Sequence, residues 1–162
     1  MKRFFGLILS VISFVSFGLH ADKKMQDEFI SKLNSTLEAE YTEYMQYSHD
    51  ATKTLDKELA AELISNANDE LEHVKELTKL MISRGGKPSI DIQKIDTQET
   101  KNIWFTQTPT TEEAAVADYK ELIAMAQKLN DTEAQKVLQS ILTKEEKHLG
   151  AEQSPIQLYD WD

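Results

Sequence analysis

The sequence predicts an all-α protein, a four-helix bundle with one long crossover between its second and third helices. Apolar residues recur at intervals of three or four in four separate stretches of the chain. The 162 residues include only five glycines and three prolines, too few for a turn-rich β protein. This length suits a single domain with a substantial core.

The apolar stripes and the residues around them set the expected helix boundaries. Gly85-Gly86-Lys87-Pro88 predicts a helix end, because glycine tolerates a left-handed cap and proline cannot continue a helix. Thr110–Glu113 and Asn130–Glu133 both fit a capping box, with Glu three residues after the cap. The predicted helices lie near residues 23–51, 56–84, 111–129 and 131–152.

The segment Gly85–Thr108 shows no helical period. In a bundle with one crossover, such a segment travels the length of the bundle between two helices. The other two connections are short, so the first and second helices, and the third and fourth, are predicted to be antiparallel pairs. Apolar side chains of the crossover are expected to hold it against the bundle: Ile90, Ile92, Ile95, Ile103, Trp104 and Phe105.

The amino-terminal residues predict an export signal. Two basic residues precede the apolar run Phe4–Leu19, and the small residue Ala21 follows just before a charged stretch. This order is typical of a secretory signal peptide, predicted here over residues 1–21, with the bundle domain over residues 22–162. The run is shorter than the roughly 20 residues that span a bilayer. We therefore expect an exported, periplasmic protein with no stable membrane insertion after cleavage.

Charge and cysteine content exclude several classes of site. Acidic residues number 28 against 18 basic ones, a net charge of −10, and the predicted leader contributes only basic charge. A surface this acidic disfavours nucleic acid as a partner and attracts cations. The chain has no cysteine, which excludes disulfides, lipoprotein acylation and thiolate metal sites.

Each of the four apolar stripes carries a glutamate at a core-facing position. Glu40 fills a gap in the first stripe and Glu70 a gap in the second, whereas Glu112 extends the third. Glu145 lies within the fourth. A buried carboxylate is costly unless it is paired, hydrogen-bonded or bound to metal. The pattern therefore predicts four carboxylates that meet inside the bundle.

Two of the four histidines share one motif. The stretches "DELEH" and "KEEKH" place Glu70 before His73 and Glu145 before His148, each three residues apart. Residues three apart are neighbours on a helix surface, so each pair offers an oxygen and a nitrogen to one cation. Four glutamates and two histidines suit iron or manganese, with zinc also acceptable, and would hold two ions with one or two carboxylates bridging them.

The ligand on the third helix has two candidates, and the acids that lie off the stripes need a separate interpretation. Glu112 lies in the predicted first turn, where the helix dipole favours any acid, and Glu113 is an alternative ligand there. Four further acids fall off the stripes and are interpreted as solvent-facing: Glu38, Glu43, Glu72 and Glu146.

The same Glu–Tyr spacing occurs in both halves of the chain. Glu40-x6-Tyr47 recurs as Glu112-x6-Tyr119, as expected for two helix pairs related by an approximate two-fold axis. Tyr47 is interpreted either as core or as a hydrogen-bond partner or electron donor beside the metals. Tyr119 is interpreted as a core residue, since most aromatics on such a stripe are.

Three stretches carry a resemblance to a known family. "LEAEYTEYMQY", "NDELEHVKEL" and "LTKEEKHLG" resemble the corresponding helices of ferritin-like di-iron carboxylate proteins, most closely bacterioferritin, and the resemblance covers residues 28–150. It implies two iron ions per chain, bridged by Glu70 and Glu145, with Tyr47 as the nearby catalytic tyrosine. The implied ligands are Glu40, Glu70, His73, Glu112, Glu145 and His148.

The resemblance also implies an activity. Such a protein would be a ferroxidase that oxidises Fe(II) with O2 or peroxide, for iron storage or detoxification, and would form a homo-oligomer. Leu71 stands where a bacterioferritin has its haem-binding methionine, so no haem is expected, and the tail "QSPIQLYDWD" is too short for a fifth helix. Two rival interpretations are a rubrerythrin-like or manganese protein that removes peroxide, and a non-catalytic exported bundle whose core Glu and His pair with each other.

Overall fold

A computed structural model of the chain describes the backbone of residues 5–90 and 103–152, and the side chains of residues 22–90 and 112–150. Within these ranges the regular secondary structure is α-helix, and the four helices form the predicted bundle. The helices are α1 (Phe5–Lys53), α2 (Lys57–Ser83), α3 (Ile103–Lys128) and α4 (Thr132–Glu152).

Helix α1 is longer than the expected 23–51. It begins at Phe5, inside the predicted leader, and continues unbroken to Lys53. The run Phe4–Leu19 contains no proline, so its backbone can continue a helix without loss of a hydrogen bond. Cleavage of a leader at Ala21 stays a prediction. In the part of the chain with described side chains, none of the helices has a stretch long and apolar enough to span a membrane.

Helix α2 begins and ends close to where the sequence predicts. The Asp56 side chain accepts hydrogen bonds from the backbone N–H groups of Glu58 and Leu59, at 2.8 and 3.2 Å. At the other end Gly85 adopts a φ of +79°, and the N–H of Gly86 donates to the carbonyl of Met81 at 3.0 Å. The glycine pair therefore ends the helix as expected.

The predicted start of the third helix at residue 111 is wrong. Helix α3 begins at Ile103, so the last part of the expected crossover is helical and Pro109 lies inside the helix. A capping box marks residues able to start a helix, but a helix already formed can pass through it. In α4 the cap is Asp131, one residue later than expected, and it accepts from the N–H of Ala134 at 3.0 Å.

The helices pack as two hairpins. Helix α1 lies along α2, α3 lies along α4, and the contacts of α1 with α3 and of α2 with α4 close the bundle. Each hairpin has a short turn, so its helices run in opposite directions as predicted. Lys32 of α1 pairs with Asp118 of α3 at 2.6 Å, and the Arg84 guanidinium forms a two-pronged contact with Asp131 at 2.5 and 2.7 Å.

The chain leaves α2 alongside α1. The Ser89 N–H donates to the side-chain oxygen of Asn34 at 2.8 Å, and Ile90 packs against the core. The remaining apolar residues of the expected crossover lie outside the described side chains: Ile92, Ile95, Ile103, Trp104 and Phe105.

Two apolar clusters fill the bundle interior. The larger includes Leu37 of α1 and Leu77 of α2, and the smaller consists of Tyr47, Leu63 and Ala67. In α1 and α2 alike, the residues between the two clusters include buried polar side chains. The bundle therefore has a polar layer that apolar packing shields at both ends, and electrostatic interactions there are strong.

Candidate metal centre

The polar layer contains all six side chains that the sequence proposes as ligands. Each comes from a core-facing position of its helix, so the helical period itself directs it inward. Exposure is 0% for four of them, 1% for Glu40 and 5% for His148. The six are Glu40 from α1, Glu70 and His73 from α2, Glu112 from α3, and Glu145 and His148 from α4.

These side chains form two overlapping groups. Both groups include Glu70 and Glu145, and within each group the potential ligand atoms all lie within 4.8 Å of one another. Glu40 and His73 complete the first group, whereas the second is completed by Glu112 and His148. The shared pair lies between two potential cation positions, an arrangement suited to bridging carboxylates.

Three carboxylates converge on one nitrogen of His73. Its Nδ1 lies 2.7 Å from Glu145, 2.9 Å from Glu70 and 3.1 Å from Glu40. A ring nitrogen carries at most one hydrogen and cannot donate fully to three acceptors. A metal ion can bind three oxygens and a nitrogen at once, so this convergence fits a cation better than a hydrogen-bond network.

His148 also turns Nδ1 toward the shared carboxylates. This atom lies 3.2 Å from Glu70 and 3.9 Å from Glu145. The other ring nitrogen, Nε2, faces Asp69 at 3.6 Å, and Asp69 in turn pairs with Lys144 at 3.0 Å. A carboxylate behind a ligand histidine orients its ring and raises its basicity.

The approximate two-fold symmetry does not extend to the residues that support the two histidines. Asp69 precedes one ligand glutamate, whereas Lys144 precedes the other. Among the described residues, Nε2 of His73 is buried without a hydrogen-bond partner. The two histidines therefore differ in their support, although they match in the direction of Nδ1.

Buried atoms without hydrogen-bond partners concentrate at this centre. A buried polar atom with no partner is costly and rare in folded proteins. Within the described part of the chain these atoms include Glu70 Oε1, Glu112 Oε2, both oxygens of Glu145, and His148 Nδ1. A donor set of four carboxylates and two imidazoles suits iron, manganese or zinc, and cations would satisfy these atoms. The residues present therefore fit a two-metal centre.

Two tyrosines form hydrogen bonds between α1 and α3. Tyr47 of α1 donates its hydroxyl to Glu112 of α3, and Tyr119 of α3 donates to Glu40 of α1 at 2.6 Å. The interpretation of Tyr119 as a core residue alone is incomplete, because its ring belongs to the core while its hydroxyl holds a candidate ligand. The repeated Glu-x6-Tyr spacing was the sequence signal for this reciprocal pair.

Protons balance the charge of the metal-free cluster. Burial raises the pKa of Glu40 well above its usual range and that of Glu112 to about 8. Burial also disfavours charged His73, but contacts with neighbouring carboxylates outweigh it and raise its pKa to about 12. The same balance raises the pKa of His148 to about 8. Metal binding at this site would therefore release protons.

The structure distinguishes the two acids at the third-helix position. Glu112 is fully buried, whereas Glu113 is exposed. Because α3 begins at Ile103, Glu112 lies well beyond the first turn, and the helix dipole does not account for it. Glu112 is thus the residue placed with the other candidate ligands.

The interpretation of Glu43 as a solvent-facing acid is wrong. It is half-buried, and its Oε2 is buried with no hydrogen-bond partner among the described residues. Burial, together with the charges of the ligand carboxylates, raises its pKa well above the usual range. The available signal was its spacing on α1, three residues after Glu40 and four before Tyr47.

A protein-family model matches most of the chain. The model, described as a ferritin-like domain, matches residues 30–151. The chain belongs to the ferritin-like family. The matched residues of this ferritin-like protein include all of the candidate ligands and both tyrosines. None of the curated proteins matches the ferritin-like chain in sequence.

Solved structures share the fold of this ferritin-like protein. A bacterioferritin from Desulfovibrio desulfuricans, with a di-iron site seen in different catalytic states, is similar with a TM-score of 0.71 and 21% identity, over 81% of this chain and 79% of its own. A ferritin-like di-iron carboxylate protein from Bacillus anthracis is similar with a TM-score of 0.72 and 23% identity, over 79% of this chain and 94% of its own.

Proposed function

We propose that this ferritin-like protein is a ferroxidase that binds two iron ions per chain and oxidises Fe(II) with O2 or peroxide, in iron storage or detoxification. The observation that carries the proposal is the pair of buried groups that share Glu70 and Glu145. The similarity in fold to a bacterioferritin with a di-iron site supports iron as the metal.

Charge matching supports two divalent ions. Four carboxylates with two neutral imidazoles balance the charge of two divalent cations, so the filled layer would be neutral inside the bundle. Without metal, the same layer is held by protons on carboxyls and histidines. Exchange of protons for cations keeps the buried charge low in both states.

The protein's own residues would hold the metal and control its surroundings. Glu40 with His73, and Glu112 with His148, would each complete one position beside the two bridging carboxylates. A pair of bound iron ions would supply the two electrons that reduce the oxidant.

Tyr47 and Tyr119 would keep one oxygen of each terminal carboxylate in place, since each hydroxyl donates to such an oxygen. Tyr47 would also supply a proton or an electron through Glu112, to which its hydroxyl donates. The two apolar clusters, one at each end of the polar layer, would limit the access of bulk water to the metals.

A titration tests the activity. Metal-free protein is titrated with Fe(II) in air while ferric absorbance is followed, with Glu145→Gln as the test variant and Glu146→Gln, an exposed neighbour, as its control. We expect a fast phase that ends near two irons per chain in the wild type and in the control, and none in the test variant. Oxidation no faster than in buffer would contradict the proposal.

The same experiment separates the rival functions. A rubrerythrin-like or manganese protein would use these ligands for peroxide removal, and metal analysis with a comparison of O2 and peroxide would reveal it. A non-catalytic bundle would bind no metal tightly, and replacing the carboxylates would change its stability alone.

Three further properties belong to the proposal. Export to the periplasm, suggested by the leader pattern, is tested by fractionation and by sequencing the amino terminus of the mature protein. Assembly into a homo-oligomer is tested by analytical ultracentrifugation. Binding of no haem, suggested by Leu71, is tested by the absorbance spectrum after incubation with haem.

A further inference from the structure

The candidate ligands are closed off from solvent. Their exposure ranges from 0% to 5%, so an incoming metal ion must pass another group before it reaches them. A hydrated divalent cation loses water only where protein oxygens replace it. An acidic side chain that touches both solvent and the ligand cluster would serve that exchange.

Two acids at the border of the cluster have such a position, and they differ in their partners. Asp69 lies beside His148, but Lys144 pairs with it at 3.0 Å. Glu43 is half-buried and has no ion pair with a cationic side chain among the described residues. Of the two, Glu43 is the one whose oxygens are not already held by a cationic partner.

The position of Glu43 on α1 links it to the ligands. It lies on the same face as Glu40 and Tyr47, which are three residues before it and four residues after it. Its Oε2 is buried without a partner, while the residue as a whole keeps part of its surface in solvent. The charged groups that act most strongly on it are ligand carboxylates: Glu40, Glu112, Glu70 and Glu145.

We propose that Glu43 is an entry carboxylate, a transient site at which a divalent cation sheds water before it passes to the buried centre. The inference rests on the proposed metal binding and adds to it a residue outside the six ligands. A half-buried carboxyl with one unpartnered oxygen can bind the cation while the ion is still partly hydrated, so it can replace lost water before the buried ligands do. Glu43 would therefore govern the rate of loading and not the number of ions bound.

The test measures loading of the metal-free full chain with Co(II), which is stable in air and absorbs visibly when bound. Stopped-flow mixing gives the loading rate, and titration gives the stoichiometry and the final spectrum. The test variant is Glu43→Gln, which keeps the shape of the side chain and removes the carboxyl group. The matched control is Glu113→Gln, an exposed acid beside a ligand on α3.

We expect Glu43→Gln to load about tenfold more slowly, at the lower end of the effects seen when a group beside metal ligands is replaced. Its final stoichiometry and spectrum should equal those of the wild type, and Glu113→Gln should load as the wild type does. Urea unfolding of metal-free Glu43→Gln checks that the fold is intact.

Each contrary outcome has a distinct meaning. Equal loading rates for Glu43→Gln and the wild type would overturn the entry role while leaving the metal centre in place. A lower stoichiometry or an altered final spectrum would make Glu43 a ligand of the filled centre and would also overturn it. A wild type that binds no Co(II), Fe(II) or Mn(II) would instead overturn the proposed function.

Discussion

Replacing both shared carboxylates with leucine, Glu70→Leu with Glu145→Leu, is expected to destabilise the metal-free protein and abolish its response to metal. Both side chains are fully buried, and three of their four oxygens lack a hydrogen-bond partner among the described residues. Leucine is similar in size and needs no partner. The double replacement therefore removes partnerless oxygens, but it also removes the carboxylate partners of two buried histidines.

The magnitude follows from the contacts of these two residues. Each partnerless buried polar atom costs about 1–3 kcal/mol, but both carboxylates also form close contacts with His73 and His148, which the variant loses. Removal of one side of a buried ion pair typically costs about 3–5 kcal/mol, because the group left behind loses its partner. Since the partnerless oxygens are removed as well, we expect a net loss at the lower end of that range, about 3 kcal/mol, and for a chain of this size each kcal/mol lowers Tm by about 2–4 °C.

Urea unfolding with a chelator, and again with Co(II), measures both effects. Co(II) at about 100 times its Kd should add about 2.7 kcal/mol to the unfolding free energy of the wild type and nothing to that of the variant. A matched control replaces two exposed glutamates on the same helices, Glu72→Leu with Glu146→Leu, whose side chains are 45% and 49% exposed. The control should retain the full response to Co(II).

Two results would refute this reasoning. A metal-free double variant that is as stable as the wild type, or more stable, would show that the two carboxylates do not hold the histidines in the absence of metal. A double variant that is still stabilised by Co(II) would show that the shared pair does not bridge the metals.

Tyr119→Phe removes the hydrogen bond to its α1 carboxylate and should weaken Co(II) binding by about 10–100-fold, as measured by competition with a chelator. Asp69→Asn removes the charge behind His148 and should weaken binding within the same range; an unchanged affinity would show that the 3.6 Å contact has no effect. Because carboxylate contacts raise the pKa of His148 to about 8 despite its burial, binding must displace its proton; this proton alone lowers the affinity by about tenfold per pH unit below that value, and the protons of His73 and Glu112 make the fall steeper. At Gly86 an added Cβ would lie 2.6 Å from the Met81 side chain, so Gly86→Ala should lower the free energy of unfolding by about 1–3 kcal/mol in thermal melts.

The helical period explains why the candidate ligands could be identified from the sequence. A position on an α-helix determines the direction of its side chain relative to neighbours three and four residues away. Glu40 in the stripe of α1 and Glu70 in that of α2 were therefore expected to point inward, and both are buried. Ends marked by strong local signals, such as Gly85 after α2, were also predicted within about one residue.

Predictions from the sequence were wrong where a local signal is compatible with more than one structure. The Thr-x-x-Glu pattern near residue 110 suggested a helix start, but α3 passes through it from Ile103. Glu43 falls off the apolar stripe, yet the rotation of α1 within the bundle keeps one of its oxygens buried. No pattern within a single helix specifies such a rotation, because it depends on the helices packed against it.

The sequence by itself determined which glutamates and histidines face the interior, because backbone hydrogen bonding within each helix sets that direction. Only the tertiary structure decided which atoms meet. That Nδ1 of His73 lies among three carboxylates, that Tyr119 reaches Glu40, and that both groups share one carboxylate pair all depend on distances across the bundle. Those distances follow from how side chains of four helices interlock, a property of the packed core and not of any one segment.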